Sequence, residues 1–220
     1  MKSMIPPVLL ILAVLGTIFS GIAPPTEAAA VGCLAAILLT VVYRKFSWDL
    51  IRHASIETLR VSAFVVMIAA LCYAFVGIFM SAGSGDVVST MIMTVPGGKW
   101  VSFAMIMMIV FLLGLFIEWI GIIFIIVPIF SPILETLGFN PLWAGMMICI
   151  NLQMAFQTPL MAMSIFVLKG TAPPELGLSM SDIIKGVTPF VLIIMFTLLL
   201  CTIFPEIITW LPEKMIGPAH

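Results

Sequence analysis

The run over residues 59–80 carries one charged side chain, Arg60, at its edge, and this constrains the chain more than any other feature. A bilayer core about 30 Å thick is crossed by about 20 apolar helical residues. Within it, backbone N–H and C=O groups must be satisfied inside the segment, so such a run predicts a spanning helix. The pattern recurs over 4–21, 26–43 and 189–204. Gly21-Ile22-Ala23-Pro24-Pro25 separates the first two runs and predicts two helices meeting at a sharp turn. With 63% hydrophobic residues, 9% charged residues and a mean hydropathy of +1.30, the chain is far more apolar than a soluble domain of its length. Lipid is its solvent.

The few charges gather between the apolar runs. A formal net charge of −1 leaves no basic face for nucleic acid. Cys33, Cys72, Cys149 and Cys201 lie in apolar runs without CxxC or Cys/His spacing and read as small packing residues. The first run follows Met1 and Lys2 like a signal peptide, but it lacks a convincing A-x-A cleavage site and further spans follow, which predicts a mature helix. Residues 44–60 hold most of the basic side chains together with Trp48, Leu50, Ile51 and Ile56, the pattern of an amphipathic arm along the membrane surface. The run over 59–80 ends at Ser81-Ala82-Gly83-Ser84-Gly85, and a short linker helix ending near Pro96 is expected next.

Residues 100–137 are too many for one span and are interrupted by Gly114 and by Glu118-Trp119. Two full crossings or one re-entrant hairpin would fit. Charge distinguishes them: with a hairpin entering and leaving on the outer side, Lys2, Arg44, Lys45, Arg52, Arg60, Lys169 and Lys185 are cytoplasmic, and only Lys99 and Lys214 lie outside. Two crossings would put Lys169 and Lys185 opposite the arm. The run over 141–168 is broken by Gln157-Thr158-Pro159, because Pro159 removes a backbone donor and frees a carbonyl. After Pro173-Pro174 a short amphipathic segment, 179–186, precedes the last span, and Trp210 reads as an interfacial aromatic.

A hairpin tip at mid-membrane beside a broken helix leaves helix-end groups to be satisfied by protein, water or ligand. Unwound carbonyls and hydroxyls suit a hard, weakly bound cation such as sodium, and helix N-termini suit an anionic group. The alternative is that Pro159 only kinks a packing helix and Gly114 only permits close helix approach. Glu118, the one carboxylate deep in an apolar run, either acts at the tip or reaches water there. Gln153 and Gln157 share a helical face, which Asn151 and Gln153 do not; these amides read as interhelical hydrogen-bonding groups. No Ser/His, paired-aspartate or metal-ligand constellation lies at membrane depth, so the chain is expected not to be an enzyme.

Three stretches, in order, resemble the large membrane subunit of TRAP transporters, the DctM-like family. Gly21-Ile22-Ala23-Pro24-Pro25-Thr26-Glu27-Ala28 is similar to G-x-x-T-P-T-E-A, with Pro24 in place of threonine. Gly114-Leu115-Phe116-Ile117-Glu118 and Pro128-Ile129-Phe130-Ser131-Pro132 resemble a G-x-F-x-[DE] tip and a P-I-x-x-P return. Asn151 to Ala162 resembles N-L-x-x-G-x-x-T-P-P-x-G, with Ala155, Leu160 and Ala162 at positions usually held by glycine, proline and glycine. The resemblance covers nearly the whole chain but matches only the second of the family's two inverted repeats.

The resemblance implies an all-α polytopic membrane protein of about five spanning helices, one re-entrant hairpin and a broken helix, forming the second inverted repeat of an elevator-type transporter. It divides into two transmembrane helices (1–43), an interfacial arm (44–60), a scaffold helix and linker (61–99), a transport-type hairpin and discontinuous helix (100–172), and an amphipathic linker, final helix and tail (173–220). It further implies a multi-pass protein of the bacterial inner membrane that imports small carboxylates, C4-dicarboxylates among them, by sodium symport. The implied partners are a small membrane subunit, a periplasmic substrate-binding protein and, if the chain is functional, a first repeat supplied by another chain; otherwise it is a truncated product that does not transport unaided. The sodium site would use Gly114, Ala155, Thr158 and Met161, with Glu118 and Pro159 at the hairpin tip or cavity, and no other cofactor. A non-transporting membrane scaffold or assembly subunit is the alternative.

Overall fold

The computed structural model describes residues 5–158, 163–172, 177 and 179–216. Ten helices and no strand occur among them. Four, Pro25–Val42, Trp48–Ser81, Trp119–Thr136 and Met180–Ile203, are long and apolar enough to cross a membrane. The chain divides into two units, residues 1–63 with 212–220, and residues 64–211.

In the first unit, α1 (Ile5–Phe19) packs on α2 (Pro25–Val42). Gly21 turns the chain at φ +69°, and Pro24 and Pro25 start α2, where a missing N–H costs nothing. Ala28 is fully buried. The described α1 has 15 residues, about 22 Å at 1.5 Å per residue. The arm expected over 44–60 and the following span form one helix, α3 (Trp48–Ser81), because neither proline nor glycine interrupts the sequence before Gly77.

The second unit is built around the central stretch. After α4 (Ser84–Met93) come α5 (Lys99–Gly114) and α6 (Trp119–Thr136), a helical hairpin, and α7 (Pro141–Phe156) packs on both of its arms. Ile106, Val110, Ile122, Ile126 and Met147 meet in the core, each no more than 2% exposed. Buried residues make up 39% of the apolar window of α6 but 6% of those of α2 and α9 (Met180–Ile203), so α6 lies inside while the other two present apolar surface outward. Side chains tie the helices to carbonyls: Ser102 Oγ donates to Ile92 O at 2.9 Å, and Trp143 Nε1 to Cys201 O at 2.9 Å. Trp100, Phe103, Phe139 and Trp143 cluster at the open end of the hairpin, where Lys99 Nζ stands 5.3 Å from the Phe139 ring centroid.

The expected break after 156 is present: α7 ends at Phe156 and α8 (Met163–Thr171) begins beyond it. The segment expected over 179–186 is instead the first turns of α9, opened by a Ser179–Asp182 capping box and continuous through Pro189. Pro189 lies in the helix interior, where it forfeits one backbone bond, a loss that membrane helices absorb through neighbouring groups. The last helix, α10 (Glu206–Ile216), carries Trp210.

Candidate functional site

The hairpin tip is short. α5 ends at Gly114, and the turn is closed by Phe116 N donating to Leu113 O at 3.0 Å and Ile117 N to the same carbonyl at 2.9 Å. α5 measures about 24 Å at 1.5 Å per residue, less than a bilayer core, so a tip reached from one side stops within it. Glu118 is half-buried in extended backbone at φ −56°, ψ 137°, where it is the N-cap of α6 without a side-chain cap hydrogen bond. The positive end of the α6 dipole therefore faces the tip, with the Glu118 carboxylate on its N-cap residue.

α7 carries the other half of the site. Asn140 caps it, its Oδ1 accepting from Leu142 N at 2.9 Å and Trp143 N at 3.3 Å. Asn151 is 1% exposed and donates from Nδ2 to Met107 O on α5 at 2.7 Å, so this amide stitches α7 to the hairpin. One turn on, Ala155 meets Gly114: a Cβ built on Gly114 would lie 2.6 Å from Ala155 Cβ and 3.5 Å from Leu152 Cδ2. Past the helix end, Thr158 folds back, its Oγ1 donating to Ala155 O at 2.6 Å and its N–H to the same oxygen at 3.1 Å.

Gly114, Ala155 and Thr158 thus come together where the tip meets the break, with Glu118 on the same tip. Pro159 and Met161 lie outside the described residues. The side-chain oxygens at the break are of the neutral type that a hard cation takes. The Thr158 hydroxyl spends its proton on Ala155 O and keeps its lone pairs, and Gln157 Oε1 is buried without a hydrogen-bond partner among the described residues. Such a buried acceptor is costly unless a cation, water or donor reaches it. Gln157 joins the set on this ground; its position in the break signalled it in the sequence, but its burial did not.

Two cavities flank the break. One of about 360 Å³ is lined by Trp119, Ile123, Cys149, Leu152, Gln153 and Phe156, and one of about 330 Å³ by Gln153, Phe156, Gln157, Leu168, Val187 and Phe190. Gln153 borders both, and the shared face of Gln153 and Gln157 opens on the second. Sequence reasoning missed Trp119 and Phe156 as walls of these cavities, since an aromatic residue in an apolar run carries no signal of which side it lines.

Residues 1–207 match the family described as "Tripartite ATP-independent periplasmic transporter, DctM component". The chain is 29% identical over 216 residues to the sialic acid TRAP transporter large permease protein SiaM of Vibrio cholerae, covering 98% of this chain and 49% of that protein. It is 28% identical over 206 residues to the sialic acid TRAP transporter permease protein SiaT of Haemophilus influenzae, covering 93% and 33%. It is 26% identical over 206 residues to the C4-dicarboxylate TRAP transporter large permease protein DctM of Pseudomonas aeruginosa, covering 93% and 47%. The chain therefore spans about half the length of the large permease relatives it matches. Motif order, the hairpin against a broken helix and the match across the membrane helices converge: the chain belongs to the DctM component family of tripartite ATP-independent periplasmic transporters.

Proposed function

We propose that this chain forms one half of a TRAP permease that imports small organic acids coupled to sodium. The observation that carries the reading is the meeting of hairpin tip and helix break at Gly114 and Ala155, beside the Thr158 hydroxyl and the unpartnered Gln157 oxygen. Neutral oxygens at a broken helix bind sodium weakly enough to release it in each cycle. In this reading the hairpin is re-entrant from the outer face, the arm is cytoplasmic and the membrane is the bacterial inner membrane. The partners are a first repeat, a small membrane subunit and a periplasmic substrate-binding protein. Relatives are named for sialic acid and C4-dicarboxylate, acids of different size, which supports a carboxylate class without choosing a member.

The test is uptake of labelled carboxylic acids into proteoliposomes under an inward sodium gradient. The chain is reconstituted alone, and then with first-repeat chain, small subunit and binding protein. Sodium-driven uptake by the complete assembly, absent with any part missing, is expected. The second reading is a non-transporting membrane scaffold or assembly subunit. Uptake that is the same whether or not this chain is present would establish it.

A further inference from the structure

α2 and the start of α3 diverge from a common loop, residues 43–47, and enclose a groove of about 660 Å³ within the first unit. One wall is a single face of α2 through Cys33, Ile37 and Thr40; the other is a face of α3 through Ile51, Ala54 and Thr58. Thr40 and Leu50 line the end nearest the loop, its mouth, and Arg44 and Lys45 belong to the loop that joins the two walls there. Both cations are exposed and, like Arg52, make no ion pair among the described residues; the acids nearby are Asp49 and Glu57, and Arg60 engages Glu57 at 2.8 Å. The mouth therefore keeps a net positive charge.

The loop backbone holds these cations in place. Arg44 N donates to Val41 O and Lys45 N to Thr40 O, both at 2.9 Å, a Schellman closure of α2. That closure needs a left-handed residue, ordinarily glycine, yet arginine occupies it at φ +54°. Phe46 of the loop meets Trp48, the first residue of α3, edge to face at 6.1 Å, and tryptophan is enriched at the headgroup level. Cations and aromatics thus lie at the interface, with apolar walls leading into the bilayer from them.

We propose that this groove is a binding site for one anionic phospholipid, its phosphate held by Arg44 and Lys45 and its acyl chains lying between α2 and α3. A juxtamembrane cation attracts an anionic lipid surface, and the apolar walls give the chains a fixed place beneath the headgroup. The site is independent of the sodium reading.

The experiment is native mass spectrometry of the full chain released from detergent, titrated with phosphatidylglycerol or with phosphatidylcholine of the same acyl chains. The expected result is preferential retention of one phosphatidylglycerol. Arg44→Gly and Lys45→Ala should each weaken that retention about fivefold and leave phosphatidylcholine unchanged. Arg44→Gly should not lower the thermal midpoint, because glycine adopts φ +54° freely, and this separates loss of charge from loss of fold. Ala54→Trp, which fills the groove, should weaken both lipids, whereas Lys169→Ala should weaken neither. Equal binding of the two lipids, or a preference indifferent to Arg44→Gly and Lys45→Ala, overturns the proposal. So does a co-purifying polypeptide released by Ala54→Trp while the lipid preference persists, which would assign the groove to a partner helix.

Discussion

Gly114 at the end of one helix and Ala155 near the end of another approach so closely that a methyl group on Gly114 would lie 2.6 Å from the Ala155 methyl. Most neighbours could yield to such an addition, but Ala155 is 1% exposed and has no torsion with which to move aside. Gly114→Ala is expected to destabilise the second unit by about 1–3 kcal/mol. Gly114→Ala with Ala155→Gly should restore most of the loss, since one methyl then fills the space from the other side. Gly145→Ala, which meets nothing within 4 Å on α7, should gain up to about 1 kcal/mol. Unfolding in mixed micelles followed by tryptophan fluorescence measures all three. Additive losses in the double variant would show that the two residues do not touch.

Glu118 is an N-cap whose side chain caps nothing. A shorter carboxylate suits this position, so Glu118→Asp is expected to stabilise the hairpin by about 0.5–1 kcal/mol. Glu118→Gln and Glu118→Leu should each lose about 0.3–1 kcal/mol of the favourable interaction between carboxylate and helix N-terminus. The same unfolding measurement ranks the variants, and an order other than Asp, Glu, then the uncharged pair would remove the helix-terminus role of Glu118.

The Thr158 hydroxyl donates to Ala155 O at 2.6 Å and offers its lone pairs to the break. Thr158→Val keeps the shape but removes the oxygen, so the sodium concentration for half-maximal uptake by the complete assembly should rise about tenfold or more, as when a ligand worth about 1.4 kcal/mol is lost. Thr158→Ser should stay within about twofold of the wild type. An unchanged midpoint in the valine variant would exclude Thr158 as an important ligand.

Arg52 near the start of α3 and Lys169 at the end of α8 should face the same compartment, the cytoplasm, if the hairpin enters and leaves on one side. Single cysteines at these positions, in a chain freed of Cys33, Cys72, Cys149 and Cys201, report this through an impermeant maleimide applied to intact cells. Both should be protected until the cells are permeabilised. Labelling of position 169 alone from outside would mean that α5 and α6 are two full crossings.

The sequence alone determined what depends on chain-local physics. Uncharged runs long enough to cross a bilayer dictate helices, Pro24-Pro25 and Gly21 dictate the first turn, and Gln157-Thr158-Pro159 marks the end of α7. Motif order was legible for the same reason, since turns and breaks require particular residues wherever they occur. Where helices continue was less legible: 44–60 and 179–186 read as separate amphipathic segments, but residues 48–60 are the first turns of α3 and 180–186 those of α9, because charge pattern reports solvent and not backbone continuity. Only the tertiary structure decided that Ala155 sits on Gly114, that Asn151 spends its amide on Met107 O, and that Gln157 Oε1 is buried and unmatched. Residues 114 and 155 are far apart along the chain, and both are small apolar residues in apolar surroundings. No pattern records such a pair; their contact exists only once α7 has packed against the hairpin.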